Sequence, residues 1–177
     1  TSPSNARFQI ENPKNATIKQ ISKSLETESP KQRELLVEIL TFCLMANHFH
    51  LLLMQKQENG VQKFMQKLGV GYTMYFNQKH ERSGHLFQGK FKAVAIEHER
   101  QLLYLPYYIH MNPLDLKYPS WRDKEIEDPE KAGQFLKEYR WSSHLDYLGE
   151  RNFPSVTQRD FLLKIFGGEQ KYKKEVA

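Results

Sequence analysis

The sequence predicts a domain of α+β class. Three observations carry that reading: an apolar hairpin of two strands over residues 36–55, an amphipathic helix over about 61–79, and a second helical run, Glu97–Asn112, stopped by Pro113. At 177 residues, 39% of them hydrophobic, the chain has the size and apolar content of one ordinary domain with a single core. The formal net charge of +5 permits a nucleic-acid partner without requiring one. The single cysteine, Cys43, rules out an internal disulfide and a Cys-based zinc cage, and fits a reducing compartment. No apolar stretch approaches the ~20 residues that span a bilayer, and no signal peptide is evident. A soluble cytoplasmic protein is therefore expected.

Residues 1–35 are polar and read as a partly mobile segment. Within it, Ile18, Ile21 and Leu25 have helical spacing, which predicts a short helix over about 16–25, broken by Ser29-Pro30. The hairpin follows. Val37 to Met45 is a run of β-favouring, apolar residues, and Ala46-Asn47 is the short link to His48-Phe49-His50-Leu51-Leu52-Leu53. Side chains alternate along a strand, so His48 and His50 share one face while Phe49, Leu51 and Leu53 take the other. Two imidazoles on one face of a rigid strand form a natural metal-ligand pair. Histidines filling a polar edge of the core would give the same pattern.

Gln57-Glu58-Asn59-Gly60 makes a polar turn into the first long helix. There Val61, Phe64, Met65, Leu68, Tyr72, Tyr75 and Phe76 keep the three-and-four spacing of one face, which is expected to be buried. A loop over 81–89 comes next, and Lys90–Ile96 reads as another strand. Arg82, His85, Lys90 and Lys92 crowd this region, with Phe87 and Phe91 between them. Cations neutralise phosphates and aromatic faces stack on unpaired bases, so Arg82, His85, Phe87, Lys90 and Lys92 are candidate DNA contacts. In the next helix Tyr108 and Asn112 lie four apart on one face, with Tyr104 one turn earlier. Pro106 removes the hydrogen bond to Leu102 and should kink that helix or delay its start. Residues 115–134 read as a charged loop. A helix is expected within 131–148, beside the cluster Tyr139-Arg140-Trp141-Ser142-Ser143, and another within 157–172, before a Lys-rich tail.

Three motifs thus stand in order: the His-x-His strand, the loop Gly84-His85-Leu86-Phe87-Gln88-Gly89-Lys90-Phe91-Lys92, and the helix end Tyr108-Ile109-His110-Met111-Asn112-Pro113. Together they resemble the single-tyrosine HUH transposases, and within the IS200-like transposases the branch called REP-associated tyrosine transposases. The likeness runs from about Val37 to Pro113 and resumes at Tyr139–Ser143 and Tyr147–Gly149. It implies a ferredoxin-like α+β fold, with a central antiparallel sheet, helices packed on it and the catalytic tyrosine on a helix. The catalytic domain would then span residues 36–150, followed by a C-terminal helix and basic tail over 151–177.

The resemblance also implies the chemistry. Such enzymes nick and rejoin single-stranded DNA beside a hairpin, through a 5′-phosphotyrosine. Carried over residue by residue, Tyr108 is the nucleophile, and His48, His50 and Asn112 hold a divalent ion, Mg²⁺ or Mn²⁺. Relatives occur as monomers and as homodimers. Tyr104 and Tyr107 are rival nucleophiles. Tyr104 stands about 12 Å along the helix axis from Asn112, and Tyr107 about 100° around it from Tyr108, which favours Tyr108. The chain departs from the family pattern at Ala46, where proline is common, at Tyr107, where a basic residue is common, and at Pro106. The family's usual first strand is not recognisable in residues 1–36. Two other functions fit the residues: a catalytically weak DNA-hairpin-binding protein derived from this family, and a His-x-His metal hydrolase unrelated to transposition.

Overall fold

The computed structural model describes residues 34–123 and 125–176. The helix expected at 16–25, and the polar segment up to residue 33, lie outside the described residues. Those described combine one antiparallel pair of strands with six helices and two short 3-10 turns, in line with an α+β class.

The hairpin forms where the β-favouring residues predict it. Strand β1 is Val37–Leu44 and strand β2 is Phe49–Gln55. The Met45 amide closes the link on the His48 carbonyl at 2.8 Å. The register pairs Cys43 with His50 and Thr41 with Leu52, and shifts once between Ile39 and Thr41. Directly paired residues share a face. His50 therefore stands on the face of buried Cys43, which is the packed face of the hairpin. Leu40, Cys43 and Leu52 make one core with Ile109, Tyr147, Leu148, Leu162, Phe166 and Tyr172.

Helix α1 is Gly60–Lys79. Its first residue must be glycine, because a Cβ there would sit 2.2 Å from the Leu36 carbonyl oxygen. The expected burial of its apolar face is not observed. Leu68, Tyr72 and Tyr75 are exposed, and Val61, Phe64, Met65 and Phe76 only partly covered. Helical periodicity dictates which residues share a face, but burial needs an element opposite that face. The start of the helix meets the hairpin region: the Val61 amide bonds to Gln55 Oε1, and Gly60 abuts Leu36.

The strand expected at 90–96 is a second correction. These residues have no ladder partner and carry no strand. β-favouring composition makes a strand only when an edge is open to it. The free edge of β1 is taken instead by Trp141–Ser143 and Gln158: the Leu44 amide bonds to Trp141, the Ser143 amide to Phe42 and the Gln158 amide to Ile39, at 2.8–3.0 Å.

Helix α2, Glu99–Met111, contains Pro106, buried within it, so the proline does not delay its start. At Asn112-Pro113 the coil tightens into a 3-10 turn, Asn112–Leu116, and a second 3-10 turn covers Pro119–Asp123. The stretch expected as a charged loop is thus largely built. Asp128 caps helix α3, Pro129–Glu138, through the Lys131 amide at 3.0 Å. Leu114, Ala132 and Leu136 form a small second core there, with Trp121 against it. Helix α4 is the single turn His144–Tyr147. The helix expected in 157–172 is two, α5 (Asp160–Phe166) and α6 (Glu169–Val176), parted by Gly167 and Gly168 at φ +80° and +105°. Only glycine adopts such angles without strain, and the pair lets the chain fold back on itself.

Candidate active site

The hairpin and α2 bring the motif residues together in one chain. The His48 and His50 rings lie edge to face with centres 5.0 Å apart. The Tyr108 ring is next, its centre 6.0 Å from that of His50. Asn112, fully buried, donates from Nδ2 back to the Tyr108 carbonyl at 2.7 Å, which ties the end of α2 to the tyrosine's own backbone.

The two histidines have the chemistry of metal ligands. His48 Nδ1 lies 2.7 Å from Asn47 Oδ1, an acceptor, so Nδ1 carries the proton and Nε2 keeps a lone pair. Burial, then the neighbouring His48, lower the His50 pKa, so the His50 ring is neutral near pH 7. Asn112 fits less simply. Its Oδ1 accepts from Arg122 Nη2 at 3.2 Å, leaving its second lone pair for an ion. Among the described residues no three His, Cys, Asp or Glu side chains are grouped to hold a metal. An ion here would be bound by the histidine pair, an amide oxygen and non-protein oxygens, a donor set that leaves positions open.

The rival tyrosines part company in space. Tyr107 stacks on Tyr172 at 5.1 Å, and its hydroxyl donates to Glu175, on the side away from the histidines. Tyr104 is 60% exposed, its ring 6.0 Å from that of Tyr108 and one turn further from Asn112.

Three residues that the motifs did not single out complete the surroundings. Arg122 lays its guanidinium 5.0 Å from the centre of the Tyr108 ring and 4.8 Å from that of Trp121. It grips Asp115 with Nε at 3.1 Å and Nη2 at 2.6 Å, and the Trp121 indole donates to the same carboxylate. Arg122 above all, and Trp121 with it, outweigh partial burial and hold the Asp115 carboxyl below its ordinary range. No spacing rule links residues 115, 121 and 122 to a histidine hairpin more than sixty positions earlier. The only signal was an Arg beside a Trp in a stretch that read as loop.

Behind the site is a buried polar knot. His110 sits between the Tyr172 hydroxyl and Ser143 Oγ, the latter 2.7 Å from Nε2, and Ser143 also accepts from the Phe42 amide at 2.9 Å. Burial pushes His110 far below the ordinary histidine pKa, so it is neutral.

The expected DNA contacts lie in the stretch that follows α1, all exposed. Arg82 donates to the His85 carbonyl at 3.1 Å. The Phe87 ring is 6.1 Å from that of Phe49 and 6.2 Å from that of Tyr72. Since Phe49 alternates with the histidines, Phe87 meets β2 on the face turned from them. Lys90 and Lys92 stand in the unpaired stretch before α2.

A family model described as "Transposase IS200 like" matches residues 9–112. The chain belongs to the IS200-like transposase family. That membership suggests transposase activity and implies DNA as a partner. The match encloses His48, His50, Tyr108 and Asn112, and it begins well before the hairpin, in residues where no strand was recognisable. Asp115, Trp121 and Arg122 lie beyond it. No curated protein and no solved structure matches the chain. Among the described residues no helix is long and apolar enough to cross a membrane.

Proposed function

We propose that this IS200-like transposase nicks and rejoins single-stranded DNA beside a hairpin through Tyr108, as a member of the REP-associated branch. The observation that carries the reading is the row of rings from His48 through His50 to Tyr108, at 5.0 and 6.0 Å, in a chain of this family. In this reading the hairpin is the centre of a ferredoxin-like sheet.

Tyr108 Oη attacks a backbone phosphorus, the bond to the 3′ oxygen breaks, and the released 3′ oxygen takes a proton from water. The phenolic proton is lost to solvent. The products are a 5′-phosphotyrosine and a free 3′-hydroxyl. The new ester conserves the phosphodiester's free energy, so a 3′-hydroxyl attacking it rejoins the strand without ATP. A phenol of pKa about 10 is a weak nucleophile at neutral pH, so the surroundings must favour loss of its proton. Mg²⁺ or Mn²⁺ bound by His48, His50 and the Asn112 amide oxygen would supply Lewis-acid polarisation of the phosphate. His48 and His50 present their rings side by side from one strand, and Asn112 is locked by its bond to Tyr108. Arg82, His85, Lys90 and Lys92 offer charge and hydrogen bonds to the strand's phosphates, and Phe87 a face for a base.

The test is a denaturing gel. Labelled single-stranded hairpin oligonucleotides from the DNA flanking the protein's own gene are incubated with it, with Mn²⁺ or with EDTA. A metal-dependent covalent adduct that vanishes in Tyr108→Phe is expected. Cleavage that survives Tyr108→Phe would instead make the protein a metal hydrolase. A shifted native band with no cleavage would make it a hairpin-binding protein.

A further inference from the structure

One guanidinium from outside the motifs touches two of the motif residues at this site. Arg122 packs on the Tyr108 ring, bonds the Asn112 oxygen and is held by Asp115, which is fixed in turn by the Trp121 indole. We propose that Arg122 is a catalytic residue, whose guanidinium steadies the Tyr108 oxygen as its proton leaves and then neutralises the phosphate under attack. The inference rests on Tyr108 being the nucleophile.

The geometry favours this over a purely structural role. Arg122 and Asp115 are 40% and 33% exposed, and such surface pairs add little to stability. The bonds to Asp115 and Asn112 occupy Nε and Nη2. Guanidinium has five donors in a planar fork, so Nη1 remains for a phenol or phosphate oxygen. A guanidinium does not lose its proton at any assay pH, so the side chain is cationic throughout. The position is also distinct from that of the loop cations. Arg82, Lys90 and Lys92 lie in the stretch after α1, whereas Arg122 is against the reacting side chain. A cation fixed where charge develops acts on the chemical step more than on binding.

The experiment compares the full chain with Arg122→Ala, Arg122→Lys and Tyr108→Phe, using the hairpin oligonucleotides above. Single-turnover adduct formation is followed with Mn²⁺, and DNA affinity by native gel with EDTA. Arg122→Ala is expected to slow adduct formation by about 100-fold or more, while affinity falls by only a few-fold. Added guanidinium ion, below denaturing concentrations, should restore part of the rate in Arg122→Ala and none in Tyr108→Phe. Arg122→Lys keeps the charge without the fork and should fall between. Melting curves check that each variant is folded. If Arg122→Ala does not fold, Arg122→Lys is the decisive variant, and a wild-type rate in it would overturn the proposal. An adduct rate near wild type in folded Arg122→Ala would overturn it while leaving Tyr108 as nucleophile. So would a loss that guanidinium does not relieve and that matches the loss of affinity. A wild-type protein that forms no adduct would remove the nucleophile itself, and both readings with it.

Discussion

The side chains of the site are held by neighbours, some one residue or one helical turn away and some brought in by the fold. His48 Nδ1 faces Asn47 Oδ1, the Tyr108 carbonyl orients Asn112, and Arg122 grips Asp115. Tyr104 and Tyr108 form an adjacent pair of rings, yet only Tyr108 also meets His50 and Arg122. Tyr104→Phe is therefore expected to retain adduct formation within a few-fold of wild type on the denaturing gel. Loss of the adduct in Tyr104→Phe, with the adduct kept in Tyr108→Phe, would exchange their roles. The histidine pair was legible because alternation along a strand needs no tertiary information. Arg122 was not, because the turns that carry it past Tyr108 follow from packing around Leu114 and Leu136.

At the scale of elements, the site depends on how α2 is fixed to the hairpin. The joint is polar: His110 of α2 meets Ser143 Oγ, which bonds to Phe42 of β1. Ser143→Ala removes the partner of a buried ring nitrogen and of a buried amide. It is expected to cost about 1–3 kcal/mol in urea unfolding. An unchanged midpoint would mean that the joint is not under strain of satisfaction and that apolar packing alone seats α2. The hairpin and α1 were read with nearly the observed bounds, since composition and period determine them locally. The strand at 90–96 and the buried face of α1 were misread for one reason. Both needed a partner surface, and sequence periodicity does not say whether one is present.

For the whole molecule, α5 and α6 matter as much as the motifs. Leu162, Phe166 and Tyr172 fill the same core as Cys43 and Leu52 of the hairpin. His144 is sealed in with them; burial lowers its pKa to about 4, and His110 moves the same way. The unfolded chain binds these protons near pH 6.5, so below that the unfolded state holds more protons than the folded one. Stability from the neutral rings is thus complete above about pH 6.5 and is lost as pH falls towards 4, by roughly 3 kcal/mol for His144 alone. Thermal melts across that range should show the midpoint falling with acid, and less steeply in His144→Gln. A midpoint flat from pH 6.5 to 4 would mean that neither ring is held neutral by the fold.

By itself the sequence determined which residues alternate, which share a helix face and where the helices stop. Those depend on covalent geometry and on residues a few positions apart. That was enough for the hairpin, the histidine pair on one face, and Tyr108 one turn from Asn112. Only the tertiary structure decided which surfaces meet: that α2 lays Tyr108 beside His50, that Trp141–Ser143 takes the edge of β1, and that Arg122 reaches the tyrosine. Such contacts join residues far apart in the chain, and they are selected by the packing of the whole core and not by any local preference.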